Sequence, residues 1–137
     1  MYLLDTNVLS ELRKAPANPR VKNWVDVQEK TALFISVVSM LEIRRGICKL
    51  ELRGDFTQAT IFTNWLQRQI QPAFAGRILS VVQDVALRAA VLPWSDPSDY
   101  RDALIAATAL TRGATVVTRN VRHFEETGVQ ILNPWEA

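Results

Sequence analysis

Three acidic residues, Asp5, Glu42 and Asp102, stand in surroundings that do not suit a solvated charge. Asp5 closes the apolar run Tyr2-Leu3-Leu4, where its carboxylate either caps the helix that follows or lies at the open edge of a sheet. Glu42 lies inside Val37-Val38-Ser39-Met40-Leu41-Glu42-Ile43. On a helix its face neighbours are Ser39, Arg45, Gly46 and Lys49. It is therefore either paired with Arg45 or Lys49 as a surface ion pair, or turned to a packed or ligand-facing position beside the space that Gly46 leaves. Asp102 falls in the first turns of a helix opening at Asp96-Pro97-Ser98. Its charge suits a helix N-terminus, but Ala103, Ala106, Ala107 and Ala109 also let that helix approach a sheet closely. Asp99, one turn earlier, is a weaker supporting candidate. Glu11, Asp26, Glu29, Glu51, Asp55, Glu125, Glu126 and Glu136 sit in mixed polar stretches and read as solvated surface.

Carboxylates brought together without partners repel, and each resists ionising. A divalent cation removes that conflict, and hard oxygen donors select Mg²⁺ or Mn²⁺. His123 is the one histidine and Cys48 the one cysteine, which leaves no ligand set for zinc. A single cysteine also forms no internal disulfide, which fits a reducing cytoplasm; Cys48 reads as a buried, inert thiol.

The elements that must carry these acids alternate along the chain. Strands are expected at Tyr2-Leu3-Leu4, Leu33-Phe34-Ile35, Ile78-Leu79, Thr115-Val116-Val117 and Val129-Gln130-Ile131-Leu132. Helices are expected over 8–13, capped by Asp5 or Thr6, around 21–27, and over 37–53, where Met40, Ile43, Ile47 and Leu50 recur at helical steps. Others follow over 56–70, with Phe62, Leu66 and Ile70 on one face, over 84–92, and over 99–112 with a stop at Gly113. Short apolar strands interleaved with helices imply an α/β fold, a three-layer α/β/α sandwich around a parallel sheet of about five strands. In such sheets ligands sit beyond the carboxyl ends of the strands, where strand order reverses. At 137 residues and 48% hydrophobic, the chain reads as one domain, 1–137, with a core that needs no disulfide. No secretory leader or membrane span is legible, so a soluble cytoplasmic protein is expected. The net charge of +2 decides little by itself.

Four segments carry a family resemblance: Leu3-Leu4-Asp5-Thr6-Asn7-Val8-Leu9-Ser10, Ser39-Met40-Leu41-Glu42-Ile43-Arg44-Arg45-Gly46, Asp102-Ala103-Leu104-Ile105-Ala106-Ala107-Thr108-Ala109 and Val117-Thr118-Arg119-Asn120-Val121-Arg122-His123-Phe124. In this order they resemble the motifs of PIN domains, and the closing Asn133-Pro134-Trp135 is similar to the FitB-like branch of VapC toxins. The resemblance implies a homodimeric Mg²⁺- or Mn²⁺-dependent endoribonuclease and a protein antitoxin that occludes its site. It implies that Asp5, Glu42 and Asp102 are the catalytic, metal-binding acids and that Thr6 supports Asp5 through its hydroxyl. Where the family often has a fourth acid this chain has Asn120, whose amide oxygen can ligate or orient water but adds no charge; Asp99 is the candidate substitute.

The chemistry then expected is hydrolysis of an RNA phosphodiester, with transfer RNA and ribosomal RNA both open as substrates. Arg44, Arg45 and Arg119, with Lys49, Arg101 and Arg122, are the candidates for contacting RNA phosphates. His123 reads as a loop histidine without a role ahead of a contact to a phosphate or base, and the four tryptophans as core or dimer contacts ahead of base-stacking platforms. A rival reading, phosphoryl transfer through an aspartyl phosphate, needs a late lysine, and none follows Lys49. Another, a catalytically impaired module that only binds RNA or protein, draws on Asn120.

Overall fold

The computed structural model describes residues 1–94 and 100–137, so the Asp96-Pro97-Ser98 helix start and Asp99 lie outside the described residues. The described residues form a parallel sheet of five strands, β1 (Tyr2–Leu4), β2 (Leu33–Ser36), β3 (Ile78–Leu79), β4 (Thr115–Val117) and β5 (Ile131–Leu132), in the order β3-β2-β1-β4-β5. Strand order reverses at β1, which pairs with β2 on one side and β4 on the other.

The helices are α1 (Thr6–Arg13), α2 (Pro19–Asp26), α3 (Val37–Leu52), α4 (Phe56–Trp65), α5 (Gln71–Ala73), α6 (Gln83–Ala90), α7 (Tyr100–Arg112) and α8 (Val121–Phe124). Both sheet faces are covered, and the period-two alternation of the strands divides the core between them. Leu4, Leu33, Ile35 and Val117 join Val8, Leu9, Ile43, Ile47 and Trp65 from α1, α3 and α4 on one face. Leu3, Leu79 and Val116 meet Ile105, Ala106, Ala109 and Phe124 from α7 and α8 on the other. The alanines of α7 are buried as expected, Ala103 and Ala107 packing on Val85 and Ala89 of α6.

Local chemistry explains the element ends. Asp5 caps α1 by accepting from Thr6 N at 2.8 Å, and Asn18 caps α2 with Pro19 at its first position. Ser36 ends β2 and caps α3 through Val38 N. Gly113, at φ +66, takes the left-handed turn that ends α7, and Ala114 N closes it on Ala109 O at 2.9 Å.

Three expectations are corrected. The helix over 56–70 is α-helical only to Trp65; Leu66–Ile70 continues it as a π-helical turn that leads into α5. The last strand holds Ile131–Leu132 and not the full Val129 to Leu132 run. The segment after Asn120, expected as loop, contains the short helix α8. Among the described residues no helix is long and apolar enough to cross a membrane.

Candidate active site

Asp5 follows the last residue of β1 and Thr118 the last residue of β4, so both emerge where the strand order reverses. Backbone bonds fix the two exits: Asp5 N donates to Val117 O at 2.9 Å and Thr118 N to Leu132 O at 3.0 Å. The Thr118 hydroxyl donates to Asp5 Oδ2 at 2.8 Å while accepting from Asn7 Nδ2 at 3.2 Å and Asn120 N at 3.0 Å. Asn7 Nδ2 is also 3.4 Å from Asp5 Oδ2. This web locks a carboxylate that is only 4% exposed.

Glu42 reaches the same place from α3. Thr6 Oγ1 donates to Glu42 Oε1 at 2.9 Å and lies 2.8 Å from the buried Ser39 Oγ. Thr6 thus holds Glu42 by its hydroxyl, whereas its contact with Asp5 is through the backbone N–H. The ion-pair partner of Glu42 is Arg101 of α7, at 3.9 Å, and not Arg45 or Lys49 of its own helix. Gly46 faces open space rather than packed atoms, which leaves Glu42 turned toward a cavity.

Asp102 comes from the first turn of α7, and its Oδ2 lies 2.7 Å from His123 Nδ1. His123 therefore has a defined partner, contrary to the expectation of an idle loop residue. A cleft of about 380 Å³ is lined by Asp5, Glu42 and Asp102 together with Thr6, Asn7, Ser10, Arg119, Asn120 and Trp135. Three carboxylates far apart in sequence thus share one cleft.

Their electrostatics follow from that placement. Burial, with Asp102 and Glu42 adding repulsion, pushes the Asp5 carboxyl up to about 6 against the pull of the Thr118 and Thr6 hydrogen bonds. Glu42 is also raised, chiefly by burial and further by Asp102, while Thr6 and Arg101 oppose the shift. The donor set is hard oxygen under mutual repulsion, which suits a divalent cation of the Mg²⁺ type. The fit is one of chemistry: among the described residues, no three His, Cys, Asp or Glu side chains stand as a ready-made ligand shell.

Glu11 lines the same cleft and corrects its reading as solvated surface: it is buried. The Asn18 backbone N–H holds its carboxyl below the usual range, assisted by Lys14 at 3.3 Å, so its role is to fasten the turn between α1 and α2. Arg119 lines the cleft, with its guanidinium 5.3 Å from the Trp135 ring centroid. Arg44 and Arg45 do not line it, and Arg44 is paired with Glu51 at 3.2 Å. Cys48 is half-buried beside Arg44, not fully buried. From sequence, Thr118 and Asn7 do not stand out as site partners, while Ser39 reads only as a face neighbour of Glu42 and Arg101 only as an RNA-phosphate candidate; for Thr118, the signal is its place directly after a strand, as for Asp5.

A PIN domain pattern matches residues 2–130. VapC ribonuclease Y4jK of Sinorhizobium fredii is 37% identical over 141 residues, covering 99% of each chain. Toxin FitB of Neisseria gonorrhoeae is 34% identical over 140 residues, covering 98% of this chain and 99% of the relative. The crystal structure of FitAcB from Neisseria gonorrhoeae matches over all of both chains with a TM-score of 0.85 at 33% identity. The chain belongs to the PIN-domain family, with VapC- and FitB-type toxins among its full-length relatives.

Proposed function

We propose that this chain is a divalent-cation-dependent endoribonuclease, the toxin of a toxin–antitoxin pair, acting in the cytoplasm as a homodimer of single-domain subunits until an antitoxin occludes its site. The observation that carries the reading is the shared cleft of Asp5, Glu42 and Asp102, in a chain whose full-length relatives include a VapC ribonuclease. Asp5 and Asp102 would hold Mg²⁺ or Mn²⁺, with Glu42 as a further ligand or as base. When bound, such an ion supplies a water of lowered pKa and offsets charge on the phosphorane-like transition state.

The chain's own residues do the rest. Thr118 and Asn7 fix Asp5 at the sheet edge, and His123 fixes Asp102. The raised proton affinity of Glu42 suits it to accept the proton of an attacking water, with Thr6 and Arg101 orienting its two oxygens. Asn120 contributes an amide oxygen in place of a fourth charge. Asn120 also favours the second reading, a PIN fold that binds RNA or protein without cutting.

Incubation of purified protein with bulk transfer RNA and ribosomal RNA in Mg²⁺ or Mn²⁺ separates these readings. Cleavage is expected, abolished by EDTA and in Asp5→Ala and Asp102→Ala variants that keep the wild-type circular dichroism. Cutting that persists in EDTA and in both variants overturns the cation mechanism; no cutting of either RNA supports the binding module.

A further inference from the structure

Beside the acidic cleft lies a second pocket, of about 370 Å³, lined by Arg119, Asn120, Arg122, His123 and Asn133. It shares Arg119 and Asn120 with the cleft, so the two are continuous across one wall. We infer that this basic pocket seats the RNA phosphate next to the one being cut, so that the strand is anchored on this flank of the cleft. The inference rests on the nuclease reading for its orientation and adds to it the course of the strand.

The charges argue for it. Other cations near the cleft are already paired: Lys14 with Glu11, Arg53 with Asp55 and Arg101 with Glu42. Arg119 and Arg122 have no carboxylate within 4.0 Å among the described residues, although Glu136 lines the same pocket. Arg119 is held from behind by the Trp135 ring, whose backbone carbonyl accepts from Arg20 at 3.5 Å. A guanidinium fixed on an aromatic face keeps its donors for an anion and loses less freedom on binding one. An acidic cleft by itself repels a polyanion, so the strand needs such an anchor nearby.

The opposite flank differs. There the cleft opens through Thr6, Ser10 and Glu42 into a groove of about 500 Å³ walled by Ile43, Ile47, Leu50, Phe62 and Trp65. Its one arginine, Arg53, is paired with Asp55. A phosphate on that side meets mostly apolar side chains, with the guanidinium of Arg13 stacked 4.1 Å from the Phe62 ring centroid.

Fluorescence anisotropy of a labelled ten-nucleotide single-stranded RNA, titrated in EDTA across a salt series, tests the anchor without requiring cleavage. Arg122→Gln is expected to weaken binding about 5-fold at low salt and to reduce the slope of log affinity against log salt by about one. Arg68→Gln, an exposed arginine on the segment after α4, leaves both unchanged. Equal affinity and slope for Arg122→Gln and wild type overturn the proposal. Orientation is read with synthetic RNAs carrying one methylphosphonate each around a mapped cut. Slowed cleavage is expected from the neighbouring position on this flank, and it disappears in Arg122→Gln; slowing that is the same in Arg122→Gln and wild type overturns the placement. Loss of the salt effect with cleavage intact sinks this inference alone, whereas an intact salt effect without cleavage sinks the nuclease reading and leaves the anchor.

Discussion

Asp5 accepts from Thr6 N, Thr118 Oγ1 and Asn7 Nδ2, yet burial beside Asp102 and Glu42 keeps its carboxyl at about 6, well above its ordinary 3.8. A carboxyl that holds its proton more tightly when folded adds stability below its unfolded value, and that contribution fades as pH rises through the folded value. Without a cation, the thermal midpoint in EDTA should therefore fall by several degrees between about pH 4 and pH 6.5. Glu42, raised in the same direction, adds to the fall. Mg²⁺ binds the ionised carboxylates, so the midpoint gained on adding it should grow across the same window; a gain that is flat with pH refutes this account of the site. The acids were legible from sequence because each signal is local: an apolar strand before Asp5, an apolar stretch around Glu42, an alanine-rich face after Asp102. Their partners were not, because Thr118 lies 113 positions from Asp5, and His123 reaches Asp102 only once α8 packs against α7. Glu11 was misjudged for a related reason: the amide that buries it, Asn18 N, belongs to the next helix cap.

Helix α3 carries Glu42 into the cleft and buries Ile43 and Ile47 against β2 and its neighbours, so its stability determines how firmly that carboxylate is held. Gly46 is its weak point, since glycine in a helix interior costs about 1 kcal/mol relative to alanine. A methyl group there meets nothing within 4 Å, so no packing opposes the replacement. Gly46→Ala should raise unfolding stability by about 0.5–1 kcal/mol, read as an upward shift of the urea midpoint at constant slope. A downward shift would mean that the apolar groove closes on this helix in solution. At this scale the sequence was a good guide: apolar runs placed all five strands, a cap placed the start of α1, and helical periodicity placed α3. What it did not show was the form of the helix over 56–70, whose last turn, carrying the buried Leu66 and Ile70, is π-helical.

Across the whole molecule the two sheet faces are covered, yet α6 and the residues after it present large apolar side chains to water. Val91 is 82% exposed, Leu87 61%, and Trp94 and Tyr100 flank a shallow hollow of about 180 Å³ floored by Ala86, Ala89, Ala90 and Ala103. Small residues between two aromatic rings form a surface that can be both knob and hole, the complementarity a two-fold interface requires. Exposed apolar side chains also favour association by the area that their burial removes from water. If the proposed homodimer uses this face, light scattering of the wild-type protein should give twice the chain mass. Val91→Asp should give the single mass with an unchanged circular dichroism spectrum, because a side chain that exposed supports little of the fold. A wild-type protein that stays monomeric at tens of micromolar removes the homodimer, and a Val91→Asp variant that still dimerises moves the interface to another face. Asp5, Glu42 and Asp102 lie outside this patch. A monomeric variant that still cuts would show each cleft to be sufficient by itself, while a monomeric variant without cleavage would mean that RNA is held across both subunits.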